Sequence, residues 1–172
     1  PDAYLEAAIR EAINKPEGLI YKSDLVSLTG LYAQDNGISD LTGLEYCVNL
    51  QGLGLRDNNI SDISALAGLT KLEWLILNDN NVSDISPVAG LTNLEWIYLN
   101  DTNISDISAL AALTNLVFLN LYNNNISDIS PLVENSGLSE GDTVDLGDNP
   151  LSATSINVYI PQLKERGVDV LY

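Results

Sequence analysis

Leu50-Gln51-Gly52-Leu53-Gly54-Leu55-Arg56-Asp57-Asn58-Asn59-Ile60-Ser61-Asp62-Ile63-Ser64 is the stretch that decides how this chain folds. Its frame of Leu50, Leu53, Leu55, Asn58 and Ile60 returns 22 residues later as Leu72, Leu75, Leu77, Asn80 and Val82. It returns again as Leu94, Ile97, Leu99, Thr102 and Ile104, then as Leu116, Leu119, Leu121, Asn124 and Ile126. A weaker copy, Leu28, Leu31, Ala33, Asn36 and Ile38, keeps the same frame upstream. After Leu121 the step stretches to 25, landing on Val144, Leu146, Asn149 and Leu151. Self-similarity at a period of this length marks a solenoid whose coils cannot bury their apolar side alone.

Leu53 and Leu55 stand two apart and share one side of a short strand, with Gly54 and Arg56 on the other. The frame Asn turns the chain, and its amide can pair backbone groups that the bend would otherwise bury. The second half of each unit, such as Ile60-Ser61-Asp62-Ile63-Ser64, is too short for a long helix and predicts 3₁₀ or single-turn segments on the outer face. The Ser and Asp residues there read as local caps.

Both ends read as caps that close the leucine core. Asp2 can cap a helix from about Ala3 to Asn14, stopped by Pro16, and Ser23 a second from Asp24 to Leu28. Ser152–Arg166 reads as a helix with a kink or restart at Pro161, ended by Gly167, after which Val168 and Val170 alternate like a last strand. The chain is thus one domain: a helical cap over 1–27, coils over 28–151 and a helix-plus-strand cap over 152–172.

Composition excludes several functions. There are 24 acidic residues, 7 basic ones and no histidine, for a net charge of −17. Without His, Ser-His-Asp and Cys-His chemistry are closed. So acidic a surface is wrong for nucleic acid and for anionic membranes, and no apolar run is long enough to insert into a bilayer. Cys47 is the single cysteine, so no internal disulfide forms. It takes the frame position of Leu69, Leu91 and Leu113 and reads as a small buried hydrophobe. The chain opens Pro1-Asp2 without a Met or a signal peptide, and is read as a processed or excised segment.

The unit Leu-Thr-Asn-Leu-Glu-Trp-x-x-Leu-Asn-Asp-x-Asn-x-Ser-Asp-Ile-Ser, residues 91–108, resembles the bacterial 22-residue class of leucine-rich repeats, that of the internalins and Sds22-like proteins. The flanks, Pro1 to Ala12 and Gly141 to Ser152, are similar to those of secreted bacterial members. The resemblance implies an α/β fold, a right-handed leucine-rich-repeat solenoid or horseshoe with a parallel concave sheet. It also implies a non-enzymatic module that binds protein ligands on that sheet, extracellular or at a bacterial cell surface, without a cofactor. Thr102 departs from the turn Asn and either loosens its bend or supplies its hydroxyl instead.

Reading across coils turns the sequence into columns on the concave face. One runs Gly30, Gly52, Trp74, Trp96, Phe118, Thr143; the next Tyr32, Gly54, Ile76, Tyr98, Asn120, Asp145; the third Gln34, Arg56, Asn78, Asn100, Tyr122, Gly147. Both tryptophans and the one phenylalanine share a column, which makes an outward aromatic patch and a candidate interface. The candidate ligand-binding residues are Trp74, Trp96, Phe118, Ile76, Tyr98 and Tyr122, rimmed by Glu73, Glu95, Asp79 and Asp101, with the acids selecting a basic protein or peptide. Duplication and cross-strand stacking could also account for the aromatics without any ligand.

A column of acids, Asp35, Asp57, Asp79, Asp101, Asn123 and Asp148, would place carboxylates close together on adjacent strands, about 4.8 Å apart. The simplest reading is that each accepts backbone N–H groups of its own turn. Calcium is the other reading, with Asp142, Asp145 and Asp148 as candidates, although no Asp-x-Asp-x-Asp-Gly loop is present. Glu73 and Glu95 could mimic a glycosidase pair, but a shallow sheet has no pocket to separate their pKa values. Competing readings are a spacer or display scaffold, glycan binding or calcium-dependent adhesion, and self-association through the aromatic face.

Overall fold

The computed structural model describes residues 2–172; Pro1, on which the reading of an excised segment partly rests, lies outside the described residues. The described residues form seven short parallel strands: β1 (Gly30–Tyr32), β2 (Gly52–Gly54), β3 (Trp74–Ile76), β4 (Trp96–Tyr98), β5 (Phe118–Asn120), β6 (Thr143–Asp145) and β7 (Asp169–Leu171). They lie in one sheet in chain order. The register pairs frame position with frame position: Leu53 with Leu75, Leu75 with Ile97, Ile97 with Leu119. This is the solenoid that the period predicts.

The core is one continuous stack. Frame residues Leu50, Leu53, Leu55, Ile60, Ile63, Leu66 and Leu69 are buried, as are their counterparts in the next coils. On the outer face, 3₁₀ turns at Leu44–Tyr46, Ser64–Leu66, Ser86–Gly90 and Ser108–Ala112 supply the second wall. The entries of the last three, and of the helical turn over Ser130–Glu134, are held by short side-chain turns: the N–H of Ser64, Ser86, Ser108 and Ser130 donates to Asp62, Asp84, Asp106 and Asp128 at 2.8–2.9 Å. The outer-face Ser and Asp are thus local caps.

A ladder of amides joins the coils. Asn80 Oδ1 accepts the Ile60 N–H of the previous coil at 2.9 Å, while its Nδ2 donates to the carbonyls of Leu55 and Leu77. Asn58, Asn124 and Asn149 repeat the pattern. Thr102 keeps the bend with its hydroxyl, 2.8 Å from the Leu99 carbonyl and 2.7 Å from Asn124 Oδ1. The longer coil uses its extra residues for Asn135, whose buried amide donates to Leu110 and Leu113. Its convex element is a turn of α-helix, α3 (Ser130–Glu134), numbered after the two helices of the N-cap.

The caps depart in detail from the sequence reading. The first helix, α1 (Ala3–Ala12), ends before Asn14, which turns left-handed at φ 51°, so Asn14 and not Pro16 stops it. Asp2 caps α1 through the N–H groups of Tyr4 and Leu5 and also accepts the N–H of Ser39 and Asp40, tying the helix to the first coil. The second helix, α2 (Lys22–Leu25), starts ahead of Ser23, because Asp24 accepts the Tyr21 N–H at 2.7 Å and closes the cap itself. The C-terminal segment restarts at Pro161, one of the two readings that the sequence leaves open. A π-turn over Ser155–Tyr159 precedes α4 (Ile160–Glu165), the wider register arising where Pro161 has no N–H to give. Val168 and Val170 are buried as expected, and β7 closes the sheet.

Candidate functional site

Strands β3, β4 and β5 carry the aromatic column. In-register pairing sets Trp74 beside Trp96 and Trp96 beside Phe118. The two indoles stack with centroids 5.1 Å apart and planes 10° from parallel, and Trp96 continues onto Phe118 at 5.7 Å and 21°. Tyr98, from the next column, leans onto Phe118 at 5.0 Å. Four of the six predicted aromatic-face residues therefore form one ladder, its rings standing off the sheet with their inner neighbours Leu75, Ile97 and Leu119 fully buried. Ile76 lies beside Tyr98 in register. Tyr122 stands apart, beyond β5, where its hydroxyl donates to Asp148 and its ring covers Gly147. That hydrogen bond, and the Asp148 charge, push the Tyr122 phenol above its ordinary pKa.

The first two coils differ. Gly52 and Gly54 lie beneath Tyr32, whose ring occupies the space that their side chains would need: a Cβ on Gly54 would come within 2.8 Å of the ring, and one on Gly52 within 2.5 Å of its hydroxyl. Next to this flat area is an open depression of about 370 Å³ lined by Gln34, Arg56, Asp57, Ile76, Asn78 and Tyr98. Glu73 and Glu95 lie outside it, on the rim before their strands; Glu73 is half-buried and Glu95 exposed.

These coils have relatives. The family profile described as "Leucine Rich repeats (2 copies)" matches residues 26–68 and 92–134, half of the chain. The chain belongs to the leucine-rich-repeat family. Among solved structures it is similar to an internalin (InlF) of Listeria monocytogenes, with a TM-score of 0.77 and 29% identity over 99% of this chain and 55% of that one. Internalin C2 of the same organism matches with a TM-score of 0.50 and 27% identity over 100% and 93% of the two chains. A leucine-rich-repeat protein of Leptospira interrogans shares the fold, with a TM-score of 0.77 at 21% identity over 87% of this chain and 38% of that one. The chain spans about half the length of the first of these internalins. Curated protein sequences give no match.

In this leucine-rich-repeat sheet the acidic column has a backbone cause. Asp35, Asp57, Asp79, Asp101, Asn123 and Asp148 all sit at φ between 51° and 57°. Asn and Asp are the side-chain-bearing residues that best tolerate this left-handed conformation. The expectation that each accepts N–H groups of its own turn is corrected: Asp57, Asp79, Asp101 and Asp148 accept from neighbouring side chains instead, and Asn123 donates. Asn78 donates to Asp79, and Asn100 and Asn123 both donate to Asp101, at 2.7–2.8 Å. Arg56 lies 2.7 Å from Asp57 and 3.7 Å from Asp79. Amides and one guanidinium thereby offset the crowding of charge. Arg56 was visible in its column but not singled out, because only the fold shows it spanning two carboxylates.

The three calcium candidates are not brought together. Asp142 accepts the Ser139 N–H, Asp145 the Gly147 N–H and Asp148 the Tyr122 hydroxyl, and among the described residues no cluster of three metal-ligating side chains converges. Cys47 is buried, and burial together with the Glu45 charge pushes its thiol up to about 11, as befits a packing residue. Among the described residues no helix is long and apolar enough to cross a membrane.

Proposed function

We propose that this leucine-rich-repeat domain is a non-enzymatic binding module of a secreted or cell-surface bacterial protein, taking a basic protein or peptide on its concave face. The observation that carries this reading is the stacked ladder of Trp74, Trp96 and Phe118 standing outward from the sheet. A soluble domain gains little from displaying such a surface to water, whereas Trp and Tyr dominate binding hot spots. Glu73, Glu95, Asp79 and Asp101 rim the ladder, and fourteen acids against the one base Lys71 between Asp57 and Pro161 give that stretch a charge of −13. Such a field draws in and orients a basic partner. The likeness to internalins supports the same reading.

The test is capture from host and bacterial surface extracts by the native chain and by a Trp74→Ala/Trp96→Ala/Phe118→Ala variant whose fold is verified by circular dichroism. A partner held by the native chain and lost by the folded variant is the expected result. Equal capture by both, or by neither, would overturn the reading in favour of a spacer.

A further inference from the structure

The aromatic ladder is covered at one end only. Trp96 lies between Trp74 and Phe118, whereas Trp74 stacks on Trp96 alone. Its other face looks toward the second coil, where its in-register neighbour Gly52 has no side chain and only the hydroxyl edge of the exposed Tyr32 ring reaches over the glycine. Trp74 is accordingly 44% exposed, while Trp96 and Phe118 are half-buried. Glu73 leans to the same side: its Oε1 accepts from Nε2 of Gln51, the residue before Gly52, at 3.3 Å. The nearest bases are held elsewhere, Lys71 by Asn49 at 2.7 Å and Arg56 by Asp57 and Asp79. An indole face with no second ring stacked on it thus borders a carboxylate that has no cation partner among the described residues, within the most acidic stretch of the chain.

Resting on the binding role proposed above, we infer that the open face of Trp74, with Glu73 at its edge, seats an arginine side chain of the basic partner. A guanidinium is flat, so it extends the stack where Gly52 ends it, in a cation–π contact. Its N–H groups lie in the plane of the stack and reach sideways to a carboxylate, which an ammonium at the ring face does less well. The contact is a local anchor, and the surrounding acids bring the partner to it.

The test is calorimetric titration of the whole chain with three peptides identical except that their basic positions are all arginine, all lysine or all citrulline. Arginine is expected to bind about five- to tenfold tighter than lysine, with citrulline giving no measurable heat. Trp74→Leu abolishes the preference, Glu73→Gln weakens the arginine peptide about fivefold, and Val158→Ala, exposed in the π-turn of the C-terminal cap, leaves it unchanged. Should Trp74→Leu fail to fold, Gly52→Leu sets a side chain against the same indole face and gives the same loss, the exposed Tyr32 ring swinging aside. Equal affinity for arginine and lysine, binding of neither, or a preference that survives Trp74→Leu each overturns the anchor. So does a neutral oligosaccharide that binds and is lost with Trp74, which would assign the face to glycans. If the anchor fails while the triple variant still loses its captured partner, the binding role stands without it; if that capture is also unaffected, both fall.

Discussion

The glycine-floored first two coils and the aromatic coils that follow share one backbone and one core, yet present opposite surfaces. Leu53 and Leu75 are paired in register and both fully buried. On the other side of the same strands, Gly52 and Gly54 lie under a single tyrosine while Trp74 begins a stack of three rings. The difference teaches that the repeat frame determines the inner side chains and leaves the outer columns free, so that surface chemistry can change between adjacent coils without a change of fold.

The sharpest way to break that comparison is in the core. Leu53→Ala and Leu75→Ala should each cost about 3–5 kcal/mol and agree with each other to about 1 kcal/mol, read as shifts of the urea midpoint. A large disagreement would mean that the two regions do not share one core. On the outer side, Trp96→Ala should cost about 2 kcal/mol, because it removes both stacking contacts of the ladder, and Trp74→Ala about 1 kcal/mol; equal losses would deny that the ladder has a middle and an end. Gly54→Val forces the Tyr32 ring off its floor and should cost about 1 kcal/mol, whereas a neutral result would show the ring free to move. Within the aromatic region, Thr102→Asn should restore the amide that accepts the previous coil's N–H and add about 1 kcal/mol, raising the melting temperature.

The smallest effect is acid sensitivity on the convex face. Asp62 is held below its ordinary 3.8 by the backbone N–H and then the hydroxyl of Ser64, and Asp84 in the same way by Ser86. In the N-cap, partial burial works against the charged form of Asp2, but four backbone N–H groups outweigh it and lower its pKa too. A folded pKa below the unfolded one contributes stability that is present above 3.8 and lost as pH falls through the folded value. Melting temperature should therefore be level from about pH 5 to 8 and fall below about pH 4, with Asp84→Asn flattening part of that fall.

The solenoid, the strand frame, the column order and the buried state of Cys47 were legible in the sequence, because a fixed period places every frame leucine without knowledge of its neighbours. What escaped needed three dimensions or a non-repeating residue. The end of α1 was set by Asn14 turning left-handed, which no spacing announces. The start of α2 depended on Asp24 reaching back to Tyr21. The acidic column was visible, but its cause was a backbone conformation, and its neutralisers, Asn78, Asn100, Asn123 and Arg56, read as ordinary polar residues until the coils were stacked. The aromatic ladder was legible as a column, yet only the registered rings show that it has one open end.

The stack of Trp74 on Trp96 has an optical consequence. These are the only two tryptophans of the chain, so all of its indole emission originates in the candidate site, with no background from the core. Two such rings 5.1 Å apart pass excitation between them faster than either emits. The light they return should be dimmed relative to that of a single indole, and it should change as soon as anything covers or parts the pair. The protein thus carries, at the surface where a partner is proposed to land, a built-in reporter of its own occupancy.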